Sequence, residues 1–322
     1  MGIKHLNRFL KEHCKQSIQI VNLESMRGKK IAVDISIYMY RYASDDTLLE
    51  NMYLMLSTFR HYNIIPIFIF DGKPPAEKTE LLKKRKEDKM GALNEYNQIQ
   101  SQLKTVVNPA ERQEMIASME LLKRTFVHID SKQIQQVKQL IRAYGATYYD
   151  APGEADELCA MLVIQKKVWA CLSEDMDLFV YGCNRVLRYL SLANHTVVSY
   201  DLKGILTELE ITQQNLREIC VLSGTDYNVN NDNNTLHATL KLFKKFMRDT
   251  VANANSKESF YEWLLENTNY ISDYEFLQKI YLMFDLSVDH DRLVKFEKVS
   301  ICNGPINRAE LHELLKNEGF LF

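Results

Sequence analysis

The chain has 322 residues, 46% hydrophobic and 25% charged, the profile of a folded protein long enough for a full core. A formal net charge of -2 excludes a global attraction to nucleic acid and leaves any such contact to local basic patches. The six cysteines are scattered with no CxxC pair, so neither a zinc site nor a disulfide framework is expected.

In chain order, KKIAVDI reads as a buried strand, residues 36–62 as a helix, and IIPIFIFD as a second buried strand. Residues 76–124 are long and charged, with Lys78, Lys83, Lys84, Arg85, Lys86 and Lys89 in the first half. Their apolar residues are too sparse for a core helix, and Lys78 and Arg85, seven apart, share one helical face. A solvated helical hairpin is one reading. A cationic wall is preferred, because the insert directly follows Asp71. Next come a helix over 131–144, the strand ATYYD, a helix over 153–165 and the strand VWACLS. RVLRYLS and HTVVSYD read as an antiparallel pair, and the chain from Leu202 onward is nearly all helical. This alternation predicts an α/β fold: a central, mostly parallel twisted sheet flanked by helices, a helical arch over 73–124 and a helical C-terminal region. No apolar run reaches membrane-span length and MGIKHLNRFLKEHC has no signal-like apolar core, which points to an intracellular protein, nuclear or cytoplasmic. Cys159, Cys171 and Cys220 lie in apolar runs and read as core thiols.

Seven carboxylates lie after strand-like runs or at helix starts: Asp34, Asp71, Glu154, Asp156, Asp175, Asp177 and Asp226. A carboxylate after a buried strand is costly to desolvate unless a cation or donor meets it. Parallel strands would deliver these acids to one sheet edge, where α/β folds place ligands. Their mutual repulsion calls for hard divalent cations, and two such ions about 4 Å apart promote phosphodiester cleavage. Any one Asp at a strand end is more often a cap or turn residue; the joint pattern carries the reading. Asp175 and Asp177 alternate in an expected extended loop, which lets both face one side. Glu154 and Asp156 diverge on a regular helix and serve one site only from its first turn, with Glu157 as an alternative second ligand.

At these residues the chain resembles the flap endonuclease family of structure-specific 5′ nucleases. The segments MGIKHL, KKIAVDISIYMY, IPIFIFDGKPP, YYDAPGEADELCA, LSEDMDLFVYG and VLSGTDY follow the family's order from Met1 to Tyr227. The resemblance implies a nuclease that cuts 5′ flaps, and 5′ ends in a 5′–3′ exonuclease mode, with two Mg²⁺ per site and Mn²⁺ able to substitute. It assigns the seven acids to metal binding, Lys78 and Arg85 to the scissile phosphate, and Tyr40 to stacking on the terminal base. Gly2 matches the family's N-terminal glycine, and Lys83 and Lys84 extend the basic arch. The expected partner is branched or 5′-ended double-stranded DNA, in replication, repair or recombination, bound by a monomer. The expected division is a nuclease block over 1–106 with the first half of the arch, a second block over 107–250 and a helical extension over 251–322.

The chain also departs from the family's pattern. Asp156 stands where the family usually has Glu. After VLSGTDY the family's glycine-rich helix–two-turn–helix is replaced by NVNNDNNTLHATLKLFKKFMRD, with an asparagine cluster over 228–234. Lys241, Lys244, Lys245 and Arg248 are expected either to supply the lost duplex grip or to form a solvated face. LHELLKNEGFLF lacks a sliding-clamp motif and reads as packing. A non-catalytic DNA-junction binder is the alternative function. An aspartate phosphatase is disfavoured by Ser36, two residues after Asp34, and Gly72-Lys73 lacks the upstream glycine loop of a nucleotide-binding site.

Overall fold

The computed structural model describes residues 3–103, 108–228, 234–252, 259–287, 291–296 and 298–316. Gly2, residues 229–233 of the asparagine cluster and residues 317–322 lie outside them. In chain order the elements are α1 (Leu6–His13), β1 (Ile18–Asn22), β2 (Lys30–Asp34), α2 (Ser36–Ser44), α3 (Leu48–His61) and β3 (Ile65–Phe70). They continue with α4 (Thr79–Leu103), α5 (Pro109–Phe126), α6 (Ser131–Ala143), β4 (Thr147–Asp150), α7 (Ala155–Ile164), β5 (Ala170–Leu172) and α8 (Asp177–Tyr181). The last are β6 (Arg185–Ser191), β7 (Thr196–Asp201), α9 (Leu202–Leu209), α10 (Gln213–Leu222), α11 (Leu236–Ala252), α12 (Phe260–Asn267), α13 (Tyr274–Met283), α14 (Asp291–Val294) and α15 (Arg308–Lys316).

The strands form one seven-stranded sheet in the order β1-β7-β6-β5-β2-β3-β4. The pairings from β6 through β5, β2 and β3 to β4 are parallel, while β7 pairs antiparallel with both β6 and β1. This is the mostly parallel α/β sheet flanked by helices that the strand–helix alternation predicts. Alternation along each strand feeds two cores. Ile31 and Val33 of β2 pack beneath α2, α3 and α6, while Ala32 faces α7, α8 and α10 on the other side. The chain runs from β2 to β3 and β4, then crosses back to lay β5 on the other flank of β2. The crevice between the carboxyl ends of β2 and β5 is thus a topological switch point.

Residues 36–62 form two helices rather than the single expected one. The interruption is Asp45-Asp46-Thr47, where Asp46 adopts φ 55° and Asp45 and Thr47 are poor helix formers. β1 was missed because only Ile18 and Val21 are partly covered and Ile20 is 76% exposed, so the edge strand has no buried stripe to read. The charged insert is a helical hairpin of α4 and α5, with Tyr96 edge-on to Phe126. The C-terminal segment returns to the sheet: Gly304 N–H donates to Gly145 O, Arg60 donates to Gly304 O, and Leu315 is fully buried beside α6. Among the described residues no helix is long and apolar enough to cross a membrane, and all six cysteines are free, with only Cys302 exposed.

Candidate active site at the carboxyl edge of the sheet

Asp34 ends β2, and Asp71 follows β3. Glu154 is the N-cap of α7 and Asp156 lies in its first turn, the one placement that lets acids two apart serve one site. Asp175 lies in the loop after β5, and Asp226 follows α10. These six acids line a single cavity of about 620 Å³ beneath the foot of the arch. Gly72 makes the convergence possible. A Cβ there would stand 2.0 Å from Ala151 O, and Gly72 N–H donates to Gly153 O, so the two loops touch backbone to backbone. Asp71 then accepts from Ala155 N–H at 2.8 Å and from the Ser36 hydroxyl.

Asp177 differs from the expected extended placement. It opens α8, its N–H donates to Asp175 Oδ1 at 3.0 Å, and it is 1% exposed behind the cavity wall. Its Oδ1 is buried without a hydrogen-bond partner. Glu157 is buried and does not line the cavity.

The acids are electrostatically frustrated. Burial, and then Asp71, pushes the Asp34 carboxyl up to about 7, against the pull of a 2.8 Å bond from Ser173 Oγ. Burial raises Asp156 and Asp177 well above the usual carboxylate range, with Asp175 the next cause for both. Asp175 is raised as well, first by burial. Two cations oppose this. Lys78 ends the turn before α4, is 7% exposed, and pairs with Glu154 and, at 3.5 Å, with Asp226. Arg85 reaches Asp226 at 2.9 Å. Burial works against the Lys78 ammonium, but Glu154, Asp226 and Asp156 outweigh it and its pKa is raised. Tyr227 was not singled out from the sequence. Its hydroxyl donates to Glu154 at 2.6 Å and its ring stands 5.6 Å from Lys78 Nζ. Its only sequence signal is its position next to Asp226.

Among the described residues, no group of three or more His, Cys, Asp or Glu side chains converges as a ready-made ion cage. Lys78 and Arg85 hold Glu154 and Asp226 instead. The donor set nevertheless fits hard divalent cations: every donor is a carboxylate oxygen, and Asp177 offers an orphaned one.

The other predicted residues divide. Tyr40 lines the cavity, 43% exposed, with Lys89 Nζ 5.1 Å from its ring centroid. Lys83 and Lys84 are exposed on α4 away from the cavity lining. Lys241 and Lys244 face a separate groove between α11 and α1, and Lys245 lies 5.5 Å from the ring centre of Trp263.

Fold and site together define a class of α/β proteins that gather carboxylates at a sheet's switch point under a basic helical hairpin. Two family models match: the XPG N-terminal domain over residues 1–92 and the XPG I-region over 145–226, together more than half of the chain. The chain belongs to the flap endonuclease and XPG family. Among curated relatives, flap endonuclease 1 of Meyerozyma guilliermondii is 31% identical over 246 residues, covering 70% of this chain and 63% of the relative. Flap endonuclease 1 of Zea mays is 32% identical over 246 residues, covering 70% and 62%. The chain thus spans less than two thirds of the length of these relatives. Among solved structures, the catalytic core of Rad2 in complex with DNA substrate superimposes with a TM-score of 0.67 at 23% identity, covering 99% of this chain and 95% of that one.

Proposed function

We propose that this protein is a structure-specific 5′ nuclease that hydrolyses a phosphodiester near the junction of a 5′ flap with duplex DNA, with 5′–3′ exonuclease capacity. The observation that carries the reading is the acid-lined cavity roofed by Lys78 and Arg85 in a member of this family. Asp34, Asp71, Glu154, Asp156, Asp175, Asp177 and Asp226 would hold a pair of Mg²⁺ ions, or Mn²⁺ in their place. Such ions supply Lewis acidity and an activated water at the phosphodiester when bound. Lys78 and Arg85, released from Glu154 and Asp226, donate to the non-bridging phosphoryl oxygens as charge develops on them. Tyr40, at the cavity mouth, offers a face on which an unpaired base stacks, worth about 1–3 kcal/mol. Ser36 and Ser173 hold Asp71 and Asp34 in rotamers that face the cavity.

Substrate choice then rests on shape and a free 5′ end rather than on base sequence. The test is a panel of end-labelled flap, double-flap, gapped, blunt and bubble DNAs with Mg²⁺, read by cut position. Cleavage within a few nucleotides of a 5′-flap junction is expected. Binding to every branched substrate with no cutting in Mg²⁺ or Mn²⁺ would replace this reading with that of a junction-binding protein.

A further inference from the structure

Glu174 sits between Ser173 and Asp175 yet takes no part in the cavity lining. It is 7% exposed, and both of its carboxylate oxygens are engaged on the far side of the loop. Oε1 accepts from Tyr189 N–H at 2.6 Å, and Oε2 pairs with Arg188 Nη2 at 3.4 Å. The Tyr189 N–H is free for this because β6 carries a bulge between Arg188 and Ser191, with Tyr189 at φ 56°.

Arg188, 5% exposed, is the hub. Nη2 donates to the Glu174 carbonyl at 2.9 Å, while Nη1 reaches Met176 Sδ at 2.9 Å and Asn7 Oδ1 at 2.6 Å. Asn7, on α1, also accepts from Tyr200 OH at 2.9 Å and donates to Tyr189 OH at 2.7 Å. One guanidinium therefore grips the loop at two residues and ties it to β6 and α1. Those two residues, Glu174 and Met176, alternate with Asp175 and Asp177. The hydrogen bonds on the cavity side run from Ser173 Oγ to Asp34, from Asp175 N–H to Ser173 Oγ, and from Asp177 N–H to Asp175 Oδ1.

We propose that Arg188 is a positioning residue for the acidic edge: by clamping Glu174 and Met176 against β6 and α1, it fixes the turn that presents Asp175 and Asp177 to divalent cations. The inference rests on the metal-dependent reading proposed above. A planar fork with donors on two nitrogens does what a single ammonium cannot, so Arg188→Lys keeps the charge and loses the geometry. Partners that orient metal ligands typically contribute 10–100-fold in metal affinity or activity.

The experiment compares the wild-type chain with Arg188→Lys and Asn7→Ala. Mn²⁺ affinity is read by calorimetry and by the metal-induced rise in melting temperature, and kcat and KM are read on a 5′-flap DNA across a Mg²⁺ titration. Arg188→Lys should fold, weaken Mn²⁺ binding about tenfold or more, and move the Mg²⁺ half-saturation point upward by a similar factor. Its KM for DNA should stay within about threefold, so that the loss falls on kcat and is partly restored by excess Mg²⁺. Asn7→Ala should shift the same quantities in the same direction by less. A folded Arg188→Lys with wild-type Mn²⁺ affinity and Mg²⁺ half-saturation overturns the proposal, whatever its melting temperature. If the wild-type protein binds Mn²⁺ but cuts no DNA, the nuclease reading fails, and weakened Mn²⁺ binding by Arg188→Lys still upholds the positioning role. A wild-type protein that binds neither cation overturns both.

Discussion

The acidic edge and the arch meet at one cavity but are built on opposite principles. The acids stand on strands and helix starts packed between two apolar cores, and Asp34, Asp156, Asp175 and Asp177 are all at least nine-tenths buried. The arch has little core beneath it. Helix α4 buries only Ala92 among its described residues, and its foot is held by ion pairs: Lys78 and Arg85 to the acids, Lys279 to Glu77 at 2.8 Å, and Arg124 to Asp45 at 3.4 Å. Packing thus fixes the negative half of the site whatever its charges prefer. The positive half sits where charge draws it, and elements with few buried contacts are the ones that open most readily.

Breaking that contrast gives the largest effect at the acids. Asp175→Asn should cut flap cleavage by about 1,000-fold or more with DNA binding nearly unchanged, because one neutral oxygen replaces a ligand charge. The same substitution should raise the melting temperature of the metal-free protein by relieving repulsion, so activity and stability move in opposite directions. Undiminished cutting by Asp175→Asn would sink the assignment. On the arch, Lys78→Met should lower kcat about 100-fold, the scale of one lost transition-state donor. Arg85→Met should cost less, since Arg85 is 39% exposed and partly screened. Both effects are read from kcat on the same flap substrate. Gly72→Ala probes the packed half directly. A methyl group forced against Ala151 O should destabilise by about 1–3 kcal/mol in urea titration and loosen Mn²⁺ binding.

The acid edge also sets a pH response for the metal-free chain. Asp34, raised to about 7 by burial and then by Asp71, stays protonated in the folded state over a range where the unfolded chain ionises. Its contribution is complete below the ordinary aspartate range near pH 4 and is lost as pH rises through about 7, with Asp156 and Asp177 acting in the same direction. Calorimetry in EDTA should show the melting temperature falling from pH 5 to pH 8, and Mg²⁺ should flatten that fall. The smallest effect belongs to the exposed pairs at the α2–α3 turn: Asp45→Asn should change stability by no more than about 1 kcal/mol, less at high salt.

The strands that carry Asp34 and Asp71 were legible because a fully buried parallel strand is a continuous apolar run, and its terminal acid stands out against it. Helix geometry required Glu154 and Asp156 to share a first turn if both were to serve one site and left Glu157 open as the second acid; the family resemblance pointed to Asp156. Other features left no comparable trace. β1 is an edge strand with no buried stripe, so its sequence looks like a loop. Asp46 breaks a helix that apolar periodicity carries straight through. Asp177 reads as part of an extended pair, yet it opens α8, with its N–H turned onto the Asp175 carboxylate. Arg188 and Asn7 are 181 residues apart, and the second arginine of RVLRYLS carries no signal of its own until the fold brings Glu174 beneath it.

The return of the C-terminal segment to Gly145 has a consequence for how the molecule is made. Arg60 meets Gly304 across 244 residues of chain, and Asn303 Nδ2 donates to Ile64 O at 2.9 Å. During synthesis the β3–β4 margin therefore waits, without this cover, until Asn303 and Gly304 have left the ribosome. Arrival of this segment and closure of the sheet's far side are one event, and a nascent chain stopped before Asn303 would hold the acid-bearing strands in an unsealed core.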